Sequence, residues 1–171
     1  MRRVCVLIAM LTSVAFGEES KVAAPPVEKT EQVFEVEGRE GALRVTLEDL
    51  NLRKSLQLKE LPVDIDQRLP EWLKKLDGKT VRISGEMFPT DRETGLKGFL
   101  MMRGGLEYAM HFGRCLHPDE KIGVRMRSGV TTDYISGRPF DVVGKFTIKS
   151  RVQDGELFLL YMIEDAVVID K

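Results

Sequence analysis

Three side chains with metal-binding chemistry fall within a seven-residue window of this 171-residue chain. His111, Cys115 and His117 are spaced H-x3-C-x-H inside the stretch 104–120 (GGLEYAMHFGRCLHPDE), which holds both histidines of the sequence. Neutral imidazole and thiolate are the donors that zinc and copper prefer. Met110 adds a thioether, which favours Cu(I), while Asp119 or Glu120 can complete a zinc set instead. A turn at Gly113 would let the donors converge. A structural zinc motif shows two ligand pairs, and here there is one cluster. The plainer account of the same residues is that Cys115 packs in the core and the histidines lie on a loop surface. Cys115 can also be paired with His111 or His117 as nucleophile and base. No strained nucleophile motif surrounds it and the spacing fits no catalytic template. No catalytic residue is assigned, and no cofactor fingerprint is present.

Charge points to a second candidate. Residues 79–151 carry 13 basic and 8 acidic residues, whereas 18–78 and 152–171 are each net −4. Arg125 and Arg127 alternate on one expected strand, and sequential strand pairing would set Lys145 and Lys149 beside them. Such a basic face can hold an anionic ligand, although a solvated charged surface explains it equally simply. Single-stranded nucleic acid needs aromatic platforms as well, and the aromatics here fall at inward positions. Nucleic acid is therefore not an expected partner.

The elements that must position these residues are organised around Leu76–Pro89 (LDGKTVRISGEMFP). Val81, Ile83 and Met87 fall on one side of a period-2 pattern and Arg82, Ser84 and Glu86 on the other. Asp77-Gly78 supplies the turn, Gly85 a bend inside the strand, and Pro89 its end. Before it, 42–49 (ALRVTLED) alternates as a short edge strand, 50–63 has no readable pattern, and 64–76 (DIDQRLPEWLKKL) reads as a short helix with Pro70 at its start. Trp72 is expected as a core plug beneath the strands. After it, strands are expected over 96–103, 121–128, 139–149 and 156–169, with a hairpin turn at Asp154-Gly155. Five consecutive strands with glycine bends predict a mainly β fold, a small five-stranded OB-like Greek-key barrel, with an open β-sandwich as the alternative. The link SGVTTDYISGR is too short and glycine-rich for the helix that such barrels carry between their third and fourth strands. The helix is expected on the N-terminal side instead.

The N-terminus reads as an export signal. Arg2 and Arg3 precede an apolar run from Val4 to Phe16, and Ala15-Phe16-Gly17 is a small-x-small cleavage site before Glu18. The run is short for a transmembrane helix, so the cleaved protein is expected in the periplasm or secreted, and not integral to the membrane. Removing residues 1–17 takes away Cys5 and leaves 24 basic against 27 acidic residues, with Cys115 alone. A lone cysteine in an oxidising compartment is buried, paired between chains, or a metal ligand. Residues 18–40 read as a flexible leader, in which Gln32–Val36 can pair at a sheet edge. Residues 41–171 form one domain.

At Gly129–Thr147 (GVTTDYISGRPFDVVGKFT) the sequence resembles a family of uncharacterised secreted bacterial proteins, a domain of unknown function. LDGKTVRISGEMFPT upstream and YMIEDAVVI downstream extend the resemblance over about residues 43–170, and the TTDY...GRPFDV block is its most specific part. The resemblance implies an exported OB-like domain without established enzymatic activity. It also implies adjacent cysteines before a Phe-Gly pair, where this chain has Met110 and His111 before Phe112-Gly113. Within the block, Asp133 or Asp141 is placed to pair with Arg138, Tyr134 to cover the barrel mouth, and Thr131, Thr132 and Asp133 to fix turns through the backbone. The expected function is a non-enzymatic binding or accessory module of the cell envelope, its partner an envelope protein or glycan. The alternative is a zinc- or copper-binding or trafficking protein using the 110–120 loop.

Overall fold

Apolar–polar alternation resolves into seven strands in a computed structural model that describes residues 32–38, 41–88, 90–104 and 116–169. The elements are β1 (Val36–Glu37), β2 (Ala42–Val45), α1 (Leu52–Ser55), α2 (Glu71–Leu76), β3 (Thr80–Met87), β4 (Gly98–Met102), β5 (Lys121–Met126), β6 (Phe140–Gln153) and β7 (Glu156–Ile169), with a 3-10 turn at Ile65–Arg68. The export signal and the leader up to residue 31 lie outside the described residues.

The last five strands close a ring. β3, β4 and β5 form an antiparallel meander, β5 pairs β7 in parallel, β7 pairs β6, and β6 returns antiparallel to β3. These pairings make a barrel-like ring of five strands, and the mainly β fold read from the sequence is the one found. An open sandwich would leave β3 and β6 apart. Instead they run side by side from Thr80↔Lys145 to Gly85↔Phe140. β3 serves two ring partners, and β4 comes close to it at Gly85. Its first residues pair β6 and its last two, Glu86 and Met87, pair β4. Gly85 permits this, since a Cβ there would lie 2.7 Å from Met101 Cγ and 2.9 Å from the Met102 carbonyl oxygen.

Val45, Val81, Ile83, Met101, Ile122, Val142, Phe146, Tyr161 and Ile163 fill the ring interior, each at 0 % exposure. Leu50, Leu52, Ile65, Leu73 and Leu76 from the helical segment join the same core. That segment therefore closes one end of the ring, beneath Phe146 and Tyr161. The link 127–139 between β5 and β6 carries no helix, so the end-closing helices come from the N-terminal side, as expected.

Several local expectations are corrected. β2 is not an edge strand: it lies between β1 and β3 and runs parallel to β3. Parallel neighbours need a long crossover, and residues 46–79, with both helices, provide it. The expected helix over 64–76 is broken, because Leu69 is extended (φ −64, ψ 140) before Pro70, and proline disfavours the helical region in the residue preceding it. Trp72 is half-buried against Phe34, ring centroids 6.3 Å apart. Leu73 and Leu76 occupy the core position expected of it.

Candidate functional site

The end of the ring opposite the helices is closed by two loops that hold each other. The β3–β4 loop and the β5–β6 loop meet at an antiparallel bridge, with Leu96 N–H donating to Thr132 O at 2.8 Å and Thr132 N–H to Leu96 O at 3.1 Å. Tyr134 N–H donates to Glu93 O at 2.7 Å, and Gly95 N–H to Asp133 Oδ1 at 3.1 Å. Gly95 has φ +66, a conformation that glycine adopts without strain. Val130, Tyr134 and Ile135 pack against the core beneath this clasp. The TTDY block therefore does more than fix its own turns: Asp133 and Thr132 reach across to immobilise the other loop.

The clasped loop walls a cavity of about 600 Å³, lined by Phe88, Leu96 and Leu100, by Gly95 and Gly98, and by Thr90, Asp91, Arg92 and Lys97. Its apolar side comes from the end of β3 and from β4. The ends of Arg92 and Lys97 reach solvent, since both residues are exposed. A cavity of this size suits a small molecule or one unit of a larger one.

The basic face read from the sequence is rearranged by topology. β7 lies between β5 and β6, so Arg125 and Lys145 are not neighbours. Glu164 sits between them: it is bonded to Arg125 and stands opposite Lys145 in register. Arg127 is exposed and follows Met126, whose N–H donates to Lys97 O at 2.9 Å. Of the three, Arg125 stands opposite Gly98 of the cavity lining, with its guanidinium held by Glu164.

Of the candidate metal ligands, Met110, His111 and Cys115 lie outside the described residues. His117 is half-buried, and its N–H donates to Glu120 Oε2 at 3.0 Å. Asp119 and Glu120 are occupied elsewhere. Asp119, fully buried, accepts Arg53 N–H and Arg53 Nε, each at 3.0 Å, and Glu120 accepts Arg53 Nη2 at 2.6 Å. Arg103, on the other side of the 104–116 stretch, bonds Glu48. Both flanks of that stretch are thus tied to residues 48–53. Among the described residues, no group of three histidine, cysteine, aspartate or glutamate side chains is placed to hold a metal ion.

Sequence reasoning missed one polar cluster. Asp141 at the start of β6 lies under Arg82 (2.7 Å) and Arg44 (3.2 Å), with Glu37 of β1 beyond them at 3.6 and 3.5 Å. Burial alone would raise its pKa. Hydrogen bonds from Ser84, Arg82 and Arg44 outweigh that and hold the carboxyl at about 2. A carboxylate so strongly held is charged at neutral pH and is a poor proton shuttle. Its role is to fasten β2, β3 and β6 together. Arg82 and Ser84 were legible as outward-facing. Their partner depended on the register of β3 with β6, which no local pattern carries.

No protein-family model matches the chain, and no curated protein does. Among solved structures, a DUF3299 family protein from Pseudomonas aeruginosa is similar, at 18% identity and a TM-score of 0.44, over 76% of this chain and 97% of that one. Among the described residues, no helix is long and apolar enough to cross a membrane.

Proposed function

We propose that the protein is an exported, non-enzymatic binding module of the cell envelope that seats its ligand in the cavity at the loop-clasped end. The observation that carries this is the preformed wall. Four hydrogen bonds between residues 93–96 and 132–134 fix the loop before any ligand arrives, which lowers the ordering cost of binding. Export rests on the charged n-region, apolar run and Ala15-Phe16-Gly17 site of the first 17 residues. Two experiments test the two halves. Expressed from Met1 in a bacterium with two membranes, the protein is expected in the periplasmic fraction with an intact mass that begins at Glu18. A full-length cytoplasmic product would remove the export half. A library of envelope sugars, peptides and amphiphiles is expected to contain a compound that shifts the amide signals of residues 88–100. Loss of that shift in Leu100→Trp, which fills the cavity, would locate it. A library with no such compound would remove the binding half.

A second reading is favoured by the tethering of both flanks of 104–116 to residues 48–53 through Arg103–Glu48 and Arg53–Asp119. Fixed flanks lower the entropy lost when His111, Cys115 and His117 gather on an ion. On this reading the protein binds zinc or copper for trafficking, with Met110 as an added soft donor. Zn²⁺ and, under reducing conditions, Cu⁺ are expected to bind one to one, and Cys115→Ser or His111→Ala/His117→Ala to abolish it. Binding unchanged in those variants would end the metal reading.

A further inference from the structure

The cavity at the loop-clasped end has two halves of different chemistry. Phe88, Leu96 and Leu100 offer an apolar wall, and Gly95 and Gly98 add no side chain that would narrow the space. The rim carries Arg92 and Lys97, which have no ion-pair partner among the described residues. Most other arginines of the fold are neutralised: Arg44 and Arg82 by Asp141, Arg53 by Asp119, Arg103 by Glu48, Arg125 by Glu164. Arg127, exposed and likewise without an ion-pair partner among the described residues, stands one residue beyond the Met126–Lys97 bond. The lining itself carries two cations, Arg92 and Lys97, and one carboxylate, Asp91.

We propose that the cavity takes a small amphipathic anion, an apolar chain or ring against Phe88, Leu96 and Leu100 with a carboxylate or phosphate head held by Arg92 and Lys97. The proposal rests on the binding-module reading and names the ligand class for that site. The planar guanidinium of Arg92 can grip a carboxylate or phosphate with two parallel bonds, and Lys97 adds a point charge. The apolar wall supplies the burial that two water-exposed cations cannot supply alone. A cationic amphiphile meets the same wall but is repelled at the rim. Inorganic phosphate meets the rim but leaves the wall wet.

The test is a set of titrations of the purified protein, followed through its amide signals, with four probes. These are decanoate below its micellar concentration, decyltrimethylammonium, inorganic phosphate, and phosphatidylglycerol vesicles. Decanoate is expected to shift residues 88–100 saturably and decyltrimethylammonium to leave them in place. Arg92→Gln/Lys97→Gln is expected to weaken decanoate about tenfold while signals outside the loop stay unchanged, which separates lost binding from lost folding. Equal binding of both amphiphiles, abolished by Leu100→Trp, would overturn the anionic class and leave the binding-module reading intact. Phosphate binding as tightly as decanoate would overturn the amphipathic half. Shifts with vesicles alone would replace the small-molecule site by a membrane surface. Silence from all four probes would overturn the proposal, and the library experiment would then decide separately whether the cavity binds anything.

Discussion

The two ends of the ring are closed by opposite means. At the helix end, closure is by side chains. Leucines from residues 50–76 fill the core, Arg53 is locked on the fully buried Asp119, and the buried Tyr161 hydroxyl donates to Leu50 O at 2.9 Å. Burial, reinforced by the Asp119 charge, pushes the Tyr161 hydroxyl well above its usual range, so it stays a proton donor. At the loop end, closure is mostly by backbone: three main-chain hydrogen bonds and one to Asp133 hold the loops together, and the cavity is lined by residues 88–100 of the first loop and β4 alone. The first kind of closure makes stability depend on individual side chains. The second leaves the side chains of the loop free to face solvent. The helix end is therefore where substitutions should unfold the protein, and the loop end where they should change what it does.

The contrast can be broken most severely at Asp119. Asp119→Ala strands Arg53 and removes the cap on its N–H, with an expected loss of about 3 kcal/mol, measured as the shift of the urea midpoint at constant slope. Asp141→Asn is expected to cost about 2 kcal/mol at neutral pH, from a folded value of about 2 against an ordinary 3.8. The sign follows from the depressed value. The unfolded chain binds the proton more readily, so the stabilisation is complete above pH 3.8 and disappears as the pH falls towards 2. Urea titrations of wild type and variant should converge over that window. A constant gap down to pH 2 would show that the Arg44–Asp141–Arg82 cluster does not act as an ion pair. Tyr161→Phe leaves Leu50 O without its donor and is expected to cost about 1 kcal/mol, read as a lower Tm in calorimetry. The smallest global effect belongs to the loop end. Asp133→Ala should change stability by about 0.5 kcal/mol while hydrogen exchange at the Gly95 amide accelerates, because only the clasp opens. If Asp133→Ala instead unfolds the chain as strongly as Asp119→Ala, the two ends are not distinct in kind.

Much of the ring was legible because its strands are written with a two-residue period. Val81, Ile83 and Met87, then Ile122, Val124 and Met126, then Phe140, Val142 and Phe146 all face inward as their spacing predicts. Asp154-Gly155 turns the last hairpin at positive φ, 52 and 83. The missing fourth-strand helix was also legible, from the brevity of SGVTTDYISGR. What escaped was what depends on pairing partners. Arg125 and Lys145 were brought together by assuming sequential neighbours, whereas the parallel β5–β7 pair inserts Glu164 between them. β2 reads as an edge because a four-residue strand gives no sign of a parallel neighbour reached across residues 46–79. The cavity mouth was hidden for the same reason. Arg92 lies in a segment without periodicity and Lys97 at the start of the expected strand 96–103, and their loop is held by Asp133 and Thr132 from a distant part of the chain.

Because β3 is shared between β6 and β4, the order in which the chain can assemble is constrained. Residues Thr80 to Gly85 of β3 wait for β6, whose Lys145 pairs with Thr80, and β5 waits for β7, which reaches Tyr161 opposite Ile122. As the chain emerges N-terminus first, the meander β3–β4–β5 can form early. It presents two unpaired edges until the β6–β7 hairpin is complete. Closure therefore comes as one late step that joins residues far apart in sequence, and such topologies fold slowly, in milliseconds to seconds. A nascent or truncated chain that stops before β7 cannot hold the ring, however well its individual strands are encoded.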